Sequence, residues 1–396
     1  MKSTRASESS AAMSAGAATS YRIPFNKPTL VGAELRYLQD AIGRGHISGD
    51  GWYTRRCEKL LEAELGVERA LLTTSCTHAL EMSALLLDIA PGDEVIVPSF
   101  TFVSTANAFV LRGAHIVFSD IRPDTLNIDE KLLEGQITSR TKAIVLVHYA
   151  GVSCDMDTIM SIARHHGIPV VEDNAHALFA TYKAQPTGTF GRLATQSFHE
   201  TKNLNCGEGG ALLINDADLV ERATVLRDKG TNRSRFFRGQ VDKYTWVDLG
   251  SSYVPSDLLA AFLYAQLEAR GEIQAARERI WNNYREGLTG WAQHNGVRLP
   301  VVPGDCEQSY HMFYLLMPSL KSRQALIEHL KRDGILAVFH YVPLHLSEMG
   351  MKQGSGKSEC PVTVDVSERL LRLPFYNSLS ESEQADVIES VLKFSV

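Results

Sequence analysis

Lys202 lies in the run Ser197-Phe198-His199-Glu200-Thr201-Lys202-Asn203. Upstream, an apolar stretch ends in an acid, Val170-Val171-Glu172-Asp173-Asn174-Ala175-His176, and a small-residue tract, Cys206-Gly207-Glu208-Gly209-Gly210, follows the lysine. An amine, a carboxylate at a strand end and a glycine-rich approach are what an enzyme needs to hold pyridoxal phosphate, PLP. Lys202 would condense with the cofactor's aldehyde and, once released, move a proton between substrate and cofactor. Asp173 would keep the pyridine nitrogen protonated, so that the ring can accept electrons. His176 has two readings, a contact to the ring and its phenolic oxygen or a packed histidine. Taken singly, Lys202 reads as a surface lysine and Asp173 as a turn cap. Their combination raises the chemical reading.

A phosphate needs backbone N–H groups at a helix start and small hydroxyls. Thr74-Ser75-Cys76-Thr77-His78-Ala79 supplies both ahead of a helical run, and Ser197 is a second hydroxyl. The same stretch would serve equally as a plain N-cap. Phe102, in Pro98-Ser99-Phe100-Thr101-Phe102, is placed to cover one face of a pyridine ring or to be core.

Elements must bring these residues together. From Ala70 to about Asp228, β-rich runs (Glu94–Val97, His115–Phe118, Ala143–Val147, Ile168–Val171) alternate with helical stretches (Cys76–Asp88, Thr105–Arg112, Asp157–His166). Near-continuous apolar strands between helices predict a mainly parallel sheet buried on both faces, with ligands beyond its carboxyl ends. Ser99, His148 and Asp173 all fall at such ends. Pro255-Ser256-Asp257 predicts a helix start, with helices to about Arg270 and over Glu272–Leu288. Short strands (Met312–Leu316, Leu336–Tyr341) then flank a helix over Ser322–Arg332. The expected fold class is α/β, with a large domain over 21–270 and a smaller α+β domain over 271–396. Residues 21–51 are free to pack on either lobe, and residues 1–20 read as a disordered tail.

The 396 residues are 44% apolar, enough for such a core, and a formal charge of −6 offers no basic face for nucleic acid. No apolar run reaches the roughly 20 residues that span a bilayer, and the N-terminus lacks the apolar segment of a secretory signal. Six scattered cysteines without a C-x-x-C pair argue against a metal site and read as free thiols of a reducing compartment, the cytoplasm.

In order along the chain, Ile23-Pro24-Phe25-Asn26-Lys27-Pro28, Ser75-Cys76-Thr77-His78-Ala79-Leu80, Pro98 to Phe109, the Asp173 and Lys202 runs, the stretch from Lys229 through Asn232 to Trp246, and Val338-Phe339-His340-Tyr341-Val342-Pro343-Leu344-His345 resemble the DegT/StrS sugar-nucleotide aminotransferases. The likeness runs from about Arg22 to the C-terminus and is nearest to members of the dTDP-4-amino-4,6-dideoxygalactose transaminase type. It implies a fold-type I PLP-dependent transferase working as a homodimer, with PLP on Lys202, Asp173 at the pyridinium and His176 at the ring oxygen, where many relatives carry Gln. By the same resemblance Cys76, Thr77 and Ser197 hold the phosphate, Asn232 reaches it from the partner subunit, and His340, Tyr341 and His345 lie in the stretch lining the sugar pocket. An Arg or Lys common in relatives has no counterpart between Gly250 and Pro255. The implied reaction moves an amino group from L-glutamate to C4 of a dTDP-linked 4-keto-6-deoxy-hexose, in the gluco or galacto configuration. Alternatives are amination at C3 of a 3-keto isomer and a protein that binds PLP or the sugar nucleotide without turnover.

Overall fold

The computed structural model describes residues 21–354 and 359–396; the tail expected over 1–20 lies outside them. Seven strands form the central sheet: β1 (Arg69–Thr73), β2 (Glu94–Pro98), β3 (His115–Ser119), β4 (Thr141–Val147), β5 (Val170–Asp173), β6 (Leu193–Ser197) and β7 (Gly210–Ile214). Their order is β1-β7-β6-β5-β4-β2-β3, and only β7 runs against the others. Every residue of β2 is buried, as are the last five of β4, because helices cover both faces. The expected strand at Ile168–Val171 begins two residues later. Proline has no N–H to give a ladder, and Ile168 N–H instead closes the preceding helix onto Ala163. Asp173 is thereby the last residue of β5, in register with Val147 on β4 and Thr195 on β6.

Two expected helix starts are realised with their caps. Ser75 caps the helix Cys76–Leu86 by accepting from His78 N–H at 3.2 Å, and Ser256 caps Asp257–Glu268. Asp257 does more than complement its own helix. Its carboxylate accepts from Tyr53 N–H, Thr54 N–H and the Thr54 hydroxyl, at 3.2, 2.8 and 2.8 Å, and so caps the helix Trp52–Leu65 from another part of the chain. Gly51 makes room, since a Cβ there would lie 2.2 Å from the Asp257 carboxyl carbon.

A second, antiparallel sheet takes β8 (Tyr314–Leu316), β10 (Leu370–Arg372) and β9 (Val338–Phe339) in the order β8-β10-β9. The helices Arg270–His294, Leu320–Arg332 and Glu381–Leu392 close a core around Ile280, Tyr284, Phe313, Leu330, Leu371 and Val387. Ile23 belongs to this core, and its backbone pairs with Gly334 and Leu336 at 3.0 Å. The helix Glu34–Gly43 instead packs beside Asp257–Glu268, with Tyr37 and Tyr264 rings 5.7 Å apart. Residues 21–51 thus bridge both cores.

Candidate active site

A cavity of about 610 Å³ opens at the carboxyl ends of the strands, where the two sheets face each other. Lys202, Asp173, His176, Cys76, Thr77, Ser197, Phe102, His340 and Tyr341 all line it. A broader hollow of about 760 Å³ lies at the opposite, amino ends of β5 and β6, around Arg164, Pro169 and Arg192. It gathers none of the expected site residues.

Lys202 sits in the loop between antiparallel β6 and β7. Phe198 N–H to Gly209 O at 2.8 Å, Cys206 N–H to Phe198 O at 2.9 Å and Glu200 N–H to Gly207 O at 2.9 Å hold that loop as an extension of the hairpin. Burial lowers the amine's pKa to about 8, with Cys76 and Asp173 opposing the shift. The lysine can therefore be neutral, and nucleophilic, near physiological pH.

Asp173 accepts from the Thr105 hydroxyl at 2.8 Å and from Ala175 N–H at 3.2 Å. Burial raises its pKa in spite of these donors and of Lys202. A buried carboxylate with spare acceptor capacity suits a protonated ring nitrogen.

His176 stacks on His311, with ring centroids 4.2 Å apart and 16° between planes. Burial pushes both pKa values well down, and Lys202 and Arg372 add to it, so both rings are neutral. His176 Nδ1 is fully buried without a partner. A bare lone pair there costs less than an unpaired N–H, which places the proton on Nε2 as a donor. His311 Nδ1 is fixed differently. It faces Asn203 Oδ1 at 2.8 Å, while Asn203 Nδ2 donates to Ser309 O at 2.7 Å.

The phosphate candidates meet at one corner. Cys76 and Thr77 open their helix, whose first turn leaves N–H groups without intrahelical partners. The Thr77 and Ser104 hydroxyls are 2.8 Å apart, and Ser197 ends β6 opposite Gly210. Gly210 is required: a Cβ there would lie 2.3 Å from the Ser75 carbonyl carbon and 2.4 Å from Cys76 N. Phe102 is 57% exposed at the cavity wall, 6.5 Å from the Tyr341 ring.

Two expected residues stand apart from the lining. His345 is bound to the Ser99 hydroxyl through Nδ1 at 2.6 Å, so it ties its segment to the end of β2. Asn232 exchanges hydrogen bonds with Thr245, its Oδ1 accepting from Thr245 N–H at 2.7 Å. In the Gly250–Pro255 segment, Tyr253 is buried against His78.

Thr105, His311, Phe25 and Arg372 belong to the site, and the sequence reading singles out none of them as site residues. For Arg372 a signal existed, a lone charge inside the apolar run Leu370-Leu371-Arg372-Leu373. Among the described residues no group of three or more His, Cys, Asp or Glu forms a metal site, and all six cysteines are free. No helix among them is long and apolar enough to cross a membrane.

An amine softened by burial, a buried acid with unused acceptor capacity and a glycine-backed helix start around one cavity fit PLP. With the α/β sheet, they define a fold-type I PLP-dependent aminotransferase. A profile of the DegT/DnrJ/EryC1/StrS aminotransferase family matches residues 28–392, and the chain belongs to that family. It is 35% identical over 377 residues to the spore coat polysaccharide biosynthesis protein SpsC of Bacillus subtilis, covering 93% of this chain and 96% of that one. Among solved structures it resembles the aminotransferase TlmJ from Streptoalloteichus hindustanus, at 32% identity and TM-score 0.85, covering 93% and 97% of the two chains. It also resembles the PLP form of the putative sugar aminotransferase Spr1654 from Streptococcus pneumoniae, at 28% identity and TM-score 0.86, covering 94% and 98%.

Proposed function

We propose that this enzyme transfers the amino group of L-glutamate to C4 of a dTDP-linked 4-keto-6-deoxy-hexose, giving a dTDP-4-amino-4,6-dideoxy-hexose and 2-oxoglutarate in the cytoplasm. The observation that carries the reading is the meeting of Lys202 and Asp173 in one cavity that the neutral, hydrogen-bonding His340 and Tyr341 also line. Such a wall suits sugar hydroxyls.

When bound, PLP supplies a ring that takes up the electrons released as the carbon beside the transferred nitrogen loses its proton. Lys202 is the group that accepts and returns that proton. Asp173 would hold a positive charge at the ring nitrogen, and His176 Nε2–H would donate to the ring oxygen. Cys76, Thr77 and Ser197 would seat the phosphate, Phe102 would cover a face, and His340 and Tyr341 would orient the sugar. His345 acts on the sugar pocket through the segment it anchors to Ser99.

The working unit is a homodimer in which Asn232 of the partner subunit completes the phosphate seat. Support comes from the segment bearing this residue, where Trp246 is 75% exposed and Tyr244, Val247 and Leu249 are also exposed, an apolar surface that a second copy would cover. The test of the reaction is NMR of the product formed from dTDP-4-keto-6-deoxyglucose and glutamate. A C4 amine is expected. A product aminated at C3 from the 3-keto isomer alone, or cofactor binding without turnover, overturns the reading.

A further inference from the structure

Among the described residues, Arg372 is the one cation of the cavity wall, besides Lys202, for which the mechanism above has no use. It ends β10, whose other residues are apolar and buried. Its Nη2 donates to Phe339 O at 3.3 Å, and its Nε is fully buried with no partner. No carboxylate among the described residues pairs with it; the Phe25 ring lies 4.6 Å from the guanidinium carbon. Arg227 and Arg277, two other buried arginines, have more partners, although Arg227 Nε is also unpartnered, as is Nε of Arg323, which lies outside this cavity and donates to Ser367 O. Arg227 pairs with Glu58 and Asp50 at 2.5 and 2.6 Å, and Arg277 bonds Tyr310 O, His311 O and Asn377 Oδ1 at 2.9, 2.5 and 2.7 Å. Arg372 is half-buried with one long backbone bond from Nη2 and a buried Nε without a partner, so its guanidinium keeps donor capacity for an anion in the cavity.

The position tells which anion. Arg372 lines the same cavity as Lys202, His176, His311 and His340, so it shares the space in which the amine reacts. In an α-amino acid the carboxylate is one bond from the carbon that carries the transferred nitrogen. In a nucleotide-linked hexose the diphosphate hangs on C1, across the ring from C4. An anion site beside the reacting amine therefore matches the donor. A sugar in the same place is neutral and meets the fork with hydroxyl oxygens, so one pocket serves both half-reactions.

Resting on the aminotransferase reading, we infer that Arg372 is the donor-specificity residue and receives the α-carboxylate of the amino-acid substrate as a two-pronged hydrogen bond. The test uses the PLP-loaded enzyme and its Arg372→Gln and Arg372→Lys variants. Glutarate, which binds without reacting, is titrated through the visible absorbance of the cofactor. Its affinity is expected to fall by about 30-fold or more in Arg372→Gln and to return in part in Arg372→Lys, which restores charge without the fork. The glutamate concentration for half-saturation of the donor half-reaction rises by a similar factor, while the keto-sugar half-reaction changes by less than about threefold. Loss confined to the sugar half-reaction would assign Arg372 to the diphosphate and overturn the inference. So would unchanged binding with a lowered melting temperature, which is the mark of a prop between Phe25 and Phe339. If Arg372→Gln does not fold, Arg372→Lys alone decides, with a loss of roughly 5- to 10-fold expected and no loss overturning. A wild type whose cofactor ignores glutamate sinks the donor chemistry, and glutarate binding still reports on Arg372 by itself.

Discussion

Glu172 and Asp173 are neighbours on β5, both buried, and they point to opposite faces of the sheet. Glu172 accepts from Gly188, Phe190 and Gly191 N–H at 2.7, 2.8 and 2.7 Å and faces His148 Nε2 at 2.9 Å. His148 Nδ1 is occupied by Cys154 N–H at 3.1 Å, so Nε2 carries the proton and donates. Four donors meet one carboxylate. Asp173 has two, and burial raises its pKa. The saturated acid is a structural rivet that holds the turn after β5; the under-served one keeps capacity for a ligand. Arg227, paired with two carboxylates, and Arg372, which pairs with none among the described residues, repeat the contrast in cations.

The comparison can be broken at its edges. Lys202→Ala removes the amine that shares the cavity with the under-served acid. It is expected to lower turnover by more than about 10⁴-fold, with no loss of melting temperature, because a desolvated amine goes with it. Asp173→Asn should reduce kcat by roughly 10²- to 10⁴-fold while raising the melting temperature of the cofactor-free protein. The sign follows from the raised pKa. Folding favours the protonated acid, so its contribution to stability is full below the ordinary value of 3.8 and is lost as pH rises through the folded value. In the Asp173→Asn variant that loss should disappear from a melting-temperature profile against pH. Glu172→Gln should do the reverse, costing about 2–4 kcal/mol in denaturant unfolding, with kcat of the folded fraction within a few-fold of wild type. Equal kcat losses in the two variants would erase the distinction. The smallest effect is kinetic. Reconstitution of the cofactor-free protein with PLP should accelerate about tenfold per pH unit below pH 8 and level off above it, since the neutral amine attacks. A midpoint near the ordinary lysine value of 10.5 would show that Lys202 is not desolvated.

What was legible in the chain follows the same physics. The parallel strands stand out because burial on both faces demands unbroken apolar runs, as in Glu94–Pro98 and Thr141–Val147. Leu193–Ser197 and Gly210–Ile214 carry the lysine loop yet escape pattern reading. The first is Leu-Ala-Thr-Gln-Ser, weak in β-branched residues, and the second opens on glycine. Asp173 and the helix start at Cys76 are readable because each sits at the end of its element, and Lys202 because the loop that carries it has neighbours that point to its chemistry. Thr105, His311 and Arg372 come from distant segments with no spacing relation to Lys202, and only folding brings them together. His345, expected with His340 and Tyr341 from the resemblance of their stretch, is bound to Ser99, a tie between distant segments that the sequence does not reveal.

The contact of Gly210 with Ser75 and Cys76 has a broader meaning. The ribbon that leads from Lys202 and the turn proposed to receive the phosphate touch main chain to main chain, so on that proposal the span between the two anchors of the vitamin is a backbone dimension. The walls proposed to meet the sugar, His340 and Tyr341, are side chains of another segment. Substrate preference can therefore drift over generations by exchanging those walls, while the seat of the coenzyme keeps its gauge.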